Sequence, residues 1–199
     1  MSKTITDRIY ASLSERIIKG QFSPGQKLRQ DHIAQEFQTS HVPVREAFLR
    51  LEGRGLAETQ PRRGTRVSAL DPADLREVVE MRVSLEILAM QHAAVNFTRK
   101  DLDLADTARK ACDAAQTMTD WEKCNREFHR ILLSPCQMPR LLSAIDNLPL
   151  ASARHLFAHW KHQWSQRADQ DHAAIVRALK RYDAAAAIET LRRHLRRVR

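Results

Sequence analysis

Apolar residues first recur at helical spacing over residues 5 to 19, where Ile5, Ile9, Leu13, Ile17 and Ile18 share a face and Gly20 stands just past the end. The segment "FSPGQKL" interrupts this pattern, with Pro24-Gly25 suited to the centre of a turn. A short helix is predicted from about Gln30 to Phe37, with Ile33, Ala34 and Phe37 inward. Thr39-Ser40 ends it. Ser40 can cap a third helix running through Leu51, with Pro43 in its first turn, where a missing N–H costs little. Two short helices joined by a tight turn make a helix-turn-helix. After "GRGL", short extended runs at Ala57 to Gln60 and Thr65 to Ser68 flank the turn "PRRG", which predicts a β-hairpin wing.

At Asp71-Pro72 the character changes. Asp71 is suited to the N-cap and Pro72 to the first position of a long helix whose period is set by Leu75, Val78, Val79, Arg82, Leu85, Glu86, Ala89 and Ala93. "TRKD" at 98 to 101 is a capping box for the next helix. Thr119 or Asp120 is expected to open a third. Pro135 and Pro139 bracket a turn before a helix of roughly 140 to 161, and two more follow at about 166 to 181 and 183 to 198. The chain is therefore expected to be mostly α: a winged helix-turn-helix domain over residues 1 to 70, then an antiparallel bundle of about six helices over residues 71 to 199.

Composition agrees, since five glycines and few aromatics among 199 residues leave little room for a large sheet. The net charge of +9 and pI near 10 favour a polyanionic partner, because each cation laid on a phosphate releases condensed counterions. Residues 1 to 70 hold 12 Lys and Arg against 7 Asp and Glu, so the smaller part is denser in positive charge. No signal core or membrane-length apolar run is present, and a cytoplasmic protein with no membrane partner is expected. Cys112, Cys124 and Cys136 form no CxxC pair and read as idle thiols rather than a disulfide framework.

On the third helix Val44, Ala47, Phe48 and Leu51 form a packing face, while His41 and Arg45 project from the other side. Arg45 could bind guanine, hold a phosphate or simply be solvated, and the wing adds Arg62, Arg63 and Arg66. The stretch "GQFSPGQKLRQDHIAQEFQTSHVPVREAFLRLEGRGLAETQPRRGTRVS" closely resembles the winged helix-turn-helix of GntR-family transcription regulators, with their PG turn, S-x-x-P-V-R-E-A reading helix and R-G-x-x-V wing. The resemblance implies that Arg45 touches DNA, that Thr39, Ser40 and Pro43 frame the start of the reading helix, and that Gly64 sits at the wing tip. His41 stands where the family commonly has arginine, and Leu49 where it is often polar.

Within the second part, Asn125 and His129 lie one turn apart on a face with Phe128 and Leu132. His172 shares a face with Ile175, Val176 and Leu179, and His194 with Leu191, Leu195 and Val198. Three histidines on three helices thus face inward. Each fits either a hydrogen-bonded core residue or a ligand of a divalent transition metal, Zn2+ or Ni2+ first. Residues 72 to 199 also resemble the FCD effector domain of the FadR branch of GntR regulators, through "NREFH", "DHAAIVRAL" and "LRRHL". That resemblance implies Asn125, His129, His172 and His194 as metal ligands in an internal cavity.

A neutral asparagine in this set keeps the full charge of the ion and favours an anionic effector, a small carboxylate that Arg82 and Arg154 could clamp; ordinary ion pairs, Arg82 with Glu86, are the alternative. His155, His159 and His162 form a competing cluster that no motif extends, and the arginines of the last helix read as a solvated face. The expected function is a homodimeric repressor of a palindromic double-stranded operator, with effector binding transmitted through the first bundle helix and the 69 to 72 connection. The rivals are a metal-dependent hydrolase built on the three histidines and a purely structural bundle; HExxH is absent.

Overall fold

The computed structural model describes residues 4–146, 148–160 and 163–197; His162, Val198 and Arg199 lie outside the described residues. Helix α1 (Ile5–Ile18) starts at a Thr4–Asp7 capping box and lays Ile9, Leu13 and Ile17 against Val44, Ala47, Phe48 and Leu51 of α3 (His41–Glu52). Between them lies α2 (Gln30–Glu36), and the tight turn after it passes through Gln38 at φ 50°. Ser40 holds the N-cap position of α3 with extended backbone, but its side chain makes no capping bond.

The wing has one strand more than expected. β2 (Ala57–Gln60) and β3 (Gly64–Val67) pair antiparallel, with Glu58 opposite Arg66 and Gln60 opposite Gly64. A two-residue strand, β1 (Lys27–Leu28), adds to the outer edge of β3 to give the order β1-β3-β2. It is too short to carry a periodic signal, and is set by the Pro24-Gly25 turn, where Gly25 donates its N–H to the Val67 carbonyl at 2.9 Å. Gly64 has φ +79°, which L side chains rarely adopt, so the tip favours glycine on backbone grounds; a Cβ there would meet only the flexible end of Lys27, 3.4 Å from Cε.

The remaining elements form a bundle of seven α-helices among the described residues: α4 (Pro72–Ala93), α5 (Arg99–Ala114), α6 (Met118–Leu133), α7 (Pro139–Ile145), α8 (Leu148–Trp160), α9 (Gln170–Lys180) and α10 (Ala184–Arg196), with a 3-10 turn at Ser134–Cys136. Asp71 caps α4 and Thr98 with Asp101 boxes α5, as expected. Several boundaries differ. Helix α6 begins a residue or two early because Thr117 accepts from the Asp120 N–H at 3.1 Å, so Thr119 and Asp120 lie inside it. The single helix expected over 140 to 161 is broken between α7 and α8. Pro149, the second residue of α8, has no N–H and its ring would block the carbonyl four residues earlier, so no continuous helix can cross it.

One apolar cluster fills the bundle, around Val83, Met90, Phe128, Leu132, Ile175 and Leu191. The other lies under the winged unit but also takes in Met118 of α6 and Ala153 and Phe157 of α8, so the two parts share a packed boundary. Cys112 and Cys136 are buried, Cys124 is half-buried, and all three are free thiols; burial pushes the Cys112 thiol up to about 12, in keeping with an unreactive role. No helix among the described residues is long and apolar enough to cross a membrane.

Candidate DNA interface and metal-binding cavity

The outer face of α3 divides by partner. Glu46 accepts from the Thr6 hydroxyl at 3.0 Å, and Arg50 pairs with Asp7 at 2.7 Å and lies over the Tyr10 ring, so this side is held to α1. His41 Nε2 is 3.2 Å from Asp31 on α2. Arg45, Val42 and Leu49 point outward with no polar partner or core contact among the described residues. Arg45 and Leu49 also line a groove of about 620 Å3 between α3 and the wing, together with Lys27, Arg29, Gln30 and Gly64. Lys27 and Arg29 were not singled out from sequence, because they sit in the turn and strand ahead of the reading helix.

At the wing turn Arg62 and Arg63 are exposed, with Arg62 at φ 62°. Arg66 differs: it donates from Nη1 to the Gly25 carbonyl at 3.0 Å and so fastens the β1 turn. Thr39 and Pro43 are half-buried and Ser40 is exposed at the start of α3.

In the bundle, α6, α9 and α10 bring His129, His172 and His194 together. His194 Nε2 lies 3.3 Å from His129 Nε2 and 3.2 Å from His172 Nε2. An imidazole nitrogen has one in-plane site, a hydrogen or a lone pair, so His194 Nε2 can hydrogen-bond only one of these neighbours. The other contact is then left without a well-directed hydrogen bond. A shared cation removes the conflict: nitrogens about 2.0–2.1 Å from one ion lie about 2.9–3.4 Å apart for bond angles between right-angled and tetrahedral.

The surroundings fit such an ion. His129 Nδ1 is 2.9 Å from Oε2 of the fully buried Glu86, which fixes the tautomer that leaves the Nε2 lone pair inward. Glu86 accepts from Arg82 Nε at 2.7 Å; burial opposes its ionisation, but the Arg82 guanidinium and His129 outweigh it and hold the carboxyl down to about 2. Burial, and then the neighbouring His194, hold His172 well below the usual histidine value, so it presents a neutral ring. Phe128 backs that ring with centroids 4.2 Å apart. Asn125 lies on the cavity wall, and its buried Oδ1 has no hydrogen-bond partner among the described residues.

The cavity beside the triad measures about 410 Å3, within the size range of small-molecule sites. Its wall includes Arg82, Asn125, His129, His194, Arg167 and Asp169, and all three tryptophans of the chain, Trp121, Trp160 and Trp164. Arg167 has no partner among the described residues. Asp169 caps α9, accepting from the N–H groups of Asp171 and His172, and its other oxygen is 3.8 Å from His194 Nδ1. This cap places the start of α9 at residue 170, later than the expected 166. Asp169 and Arg167 fall inside the helix expected from residue 166, so sequence does not reveal that they lie in a connection facing the cavity.

Arg154 is not part of this group. It is buried at the boundary with the winged unit, where its guanidinium donates to the Ser68 carbonyl at 2.7 Å and the Gly55 carbonyl at 3.4 Å. An inward-facing side chain on α8 looks toward the first 70 residues, not into the bundle. Arg154→Ala is expected to lower stability by about 1.5–3 kcal/mol, the range for hydrogen bonds made by a charged group, without reducing metal content; equal stability by chemical denaturation would refute the clamp across the boundary. His155 is buried 3.9 Å from Asp74 and His159 is exposed and bonded to the His155 carbonyl. Arg193 of α10 and Arg197, its C-cap, are not merely solvated, since each reaches Asp171 at 2.6 Å.

Met118, Leu156 and Trp164 line the cavity and also pack against the apolar cluster of the winged unit. Three side chains of the cavity wall therefore also belong to, or pack on, the apolar cluster that contains the core of the winged unit.

The comparisons with known proteins agree with this architecture. The family model for bacterial regulatory proteins of the gntR family matches residues 5–67, and that for the FCD domain matches residues 77–197. Among relatives, the HTH-type transcriptional repressor GlaR of Escherichia coli (strain K12) is 26% identical over 198 residues, covering 94% of this chain and 90% of its own. The repressor RspR of the same strain is 24% identical over 203 residues, covering 99% and 88%. The solved structure of E. coli McbR/YncC superposes with a TM-score of 0.82 at 22% identity, covering 98% of this chain and 95% of that one. These matches leave no support for the hydrolase reading. The chain belongs to the GntR family of transcription regulators, in the branch with a C-terminal FCD domain, and is a regulator rather than an enzyme.

Proposed function

We propose that the chain is a homodimeric repressor, working in the cytoplasm, whose affinity for a palindromic operator is set by a small organic acid bound beside a divalent metal in the bundle. Residues 1 to 70 form the DNA-binding domain and residues 71 to 199 the sensing domain. The observation that carries the reading is the convergence of the three imidazole Nε2 atoms, which cannot all make well-directed hydrogen bonds to one another, with His129 and His194 on the wall of a cavity of about 410 Å3 and His172 buried behind them.

His129, His172 and His194 hold the ion through Nε2, and the unpaired Asn125 Oδ1 is the fourth donor. When bound, the ion supplies positive charge and coordination positions open to an acid; Zn2+ and Ni2+ suit a set of neutral imidazoles. Arg82, held in place by Glu86, and the unpaired Arg167 orient a carboxylate entering the cavity, and Arg167 takes the role that Arg154 does not fill. Movement of Met118, Leu156 and Trp164 around that acid then bears directly on the core of the winged unit, so α8 and the start of α6 transmit the signal alongside α4 and the 69 to 72 connection.

On the DNA side, Arg45 reads a base, Thr39, Ser40 and Pro43 shape the entry to α3, and Arg62, Arg63 and Gly64 let the wing approach the minor groove. His41 and Arg66 act from their intramolecular partners, Asp31 and the Gly25 carbonyl. A two-fold dimer sets the half-site spacing.

Screening small organic acids against the Zn2+-loaded protein tests the reading. A binding acid at about 100 times its Kd adds about 2.7 kcal/mol, which raises Tm by roughly 5–10 °C for a chain of this size. Because every tryptophan lines the cavity, the same acid should change intrinsic fluorescence. If all the acids leave Tm and fluorescence unmoved in the metal-loaded protein, the sensing role fails.

A further inference from the structure

We infer that Val42 and Leu49 are specificity determinants that read thymine methyl groups on either side of the base pair addressed by Arg45; this rests on α3 being the reading helix. Val42 is 67% exposed and Leu49 59% exposed, and with Arg45 they follow one another at spacings of three and four along the outer stripe of α3. Single exposed apolar residues are ordinary on protein surfaces. These two are not scattered: the neighbouring outward positions Glu46 and Arg50 are tied to α1, so the stripe left free consists of two aliphatic side chains flanking one unpaired guanidinium.

The setting is charged for DNA. Leu49 and Arg45 face the groove that also holds Lys27 and Arg29, and the wing presents Arg62 and Arg63 beside it. In a major groove the one apolar group that projects from a base edge is the C5-methyl of thymine, so it is the sequence-specific partner of an aliphatic side chain. Val and Leu therefore favour thymine by burying that methyl, where cytosine offers only a C5–H. Seven residues of helix span about 10.5 Å, close to three base steps, so the two thymines fall within about three steps of each other in each half-site.

The test begins with selection of duplexes from a random pool by the full-length protein. Each thymine of the selected half-site is then replaced by deoxyuridine, which removes one methyl and leaves every hydrogen-bonding group in place. Two positions should each weaken binding about fourfold, the value of one buried methyl-sized group. Leu49→Ala should abolish the thymine-over-uracil preference at one of them and Val42→Ala at the other, while both variants keep the parent circular dichroism and Tm because neither side chain is in the core. Uracil substitution without effect at every position, or a preference unchanged in both variants, would overturn the inference while leaving Arg45 as reader. Failure to select any sequence would overturn the DNA-reading role as well.

Discussion

Protein carrying His129→Ala together with His172→Ala is expected to emerge from purification without divalent metal, whereas the parent carries about one ion per chain. Each substitution removes a neutral imidazole whose Nε2 lies in the cluster around His194, and one imidazole with one amide oxygen cannot retain an ion that three imidazoles hold. Chelator should lower the parent Tm and leave that of the double variant unchanged. Glu86→Gln should have a smaller effect, about 10-fold to 100-fold in metal affinity, because it acts through His129 rather than on the ion. Elemental analysis decides the matter: stoichiometric metal in the double variant would remove these histidines from the site.

The second large effect lies at the other end of the molecule. Arg45→Ala should remove discrimination between operator and random duplex, since a bidentate arginine–guanine pair is worth about 1–3 kcal/mol and a two-fold dimer makes it twice. Stability should change by less than about 0.5 kcal/mol, because Arg45 is exposed and has no protein partner among the described residues. Arg62→Ala with Arg63→Ala should behave differently, weakening specific and random DNA alike and reducing the salt dependence by about two counterions per protomer. Retained discrimination in the Arg45 variant, measured by competition at fixed salt, would place base reading elsewhere.

These two sites differ in how readily they could be read from sequence. The winged unit was legible because its signals are local: a Pro-Gly turn, a periodic apolar face on each helix and a proline in the first turn of α3. The histidine triad was legible in part, since helical period puts His129, His172 and His194 inward but cannot say that α6, α9 and α10 bring them within 3.3 Å of His194. Arg154 marks the limit of that reasoning. Period identifies a buried face without identifying what buries it, and α8 has two neighbours, the bundle and the winged unit.

Some misses had a signal. Thr117 and Asp120 repeat the Thr-x-x-Asp spacing of Thr98 and Asp101, and Pro149 marks a break that period alone conceals. Others had none: Asp169 and Arg167 reach the cavity from a connection whose path depends on the helices it joins.

In the proposed mechanism the cavity and the DNA-reading face are coupled through Met118, Leu156 and Trp164. This coupling is tested most directly by operator affinity measured on one metal-loaded preparation with and without an acid that raises its Tm. The proposed coupling should shift Kd by about 5-fold to 150-fold, the usual range between two sites, and the shift should be lost when metal is stripped. An acid that binds the cavity tightly yet leaves operator Kd unchanged, with and without metal, would contradict it.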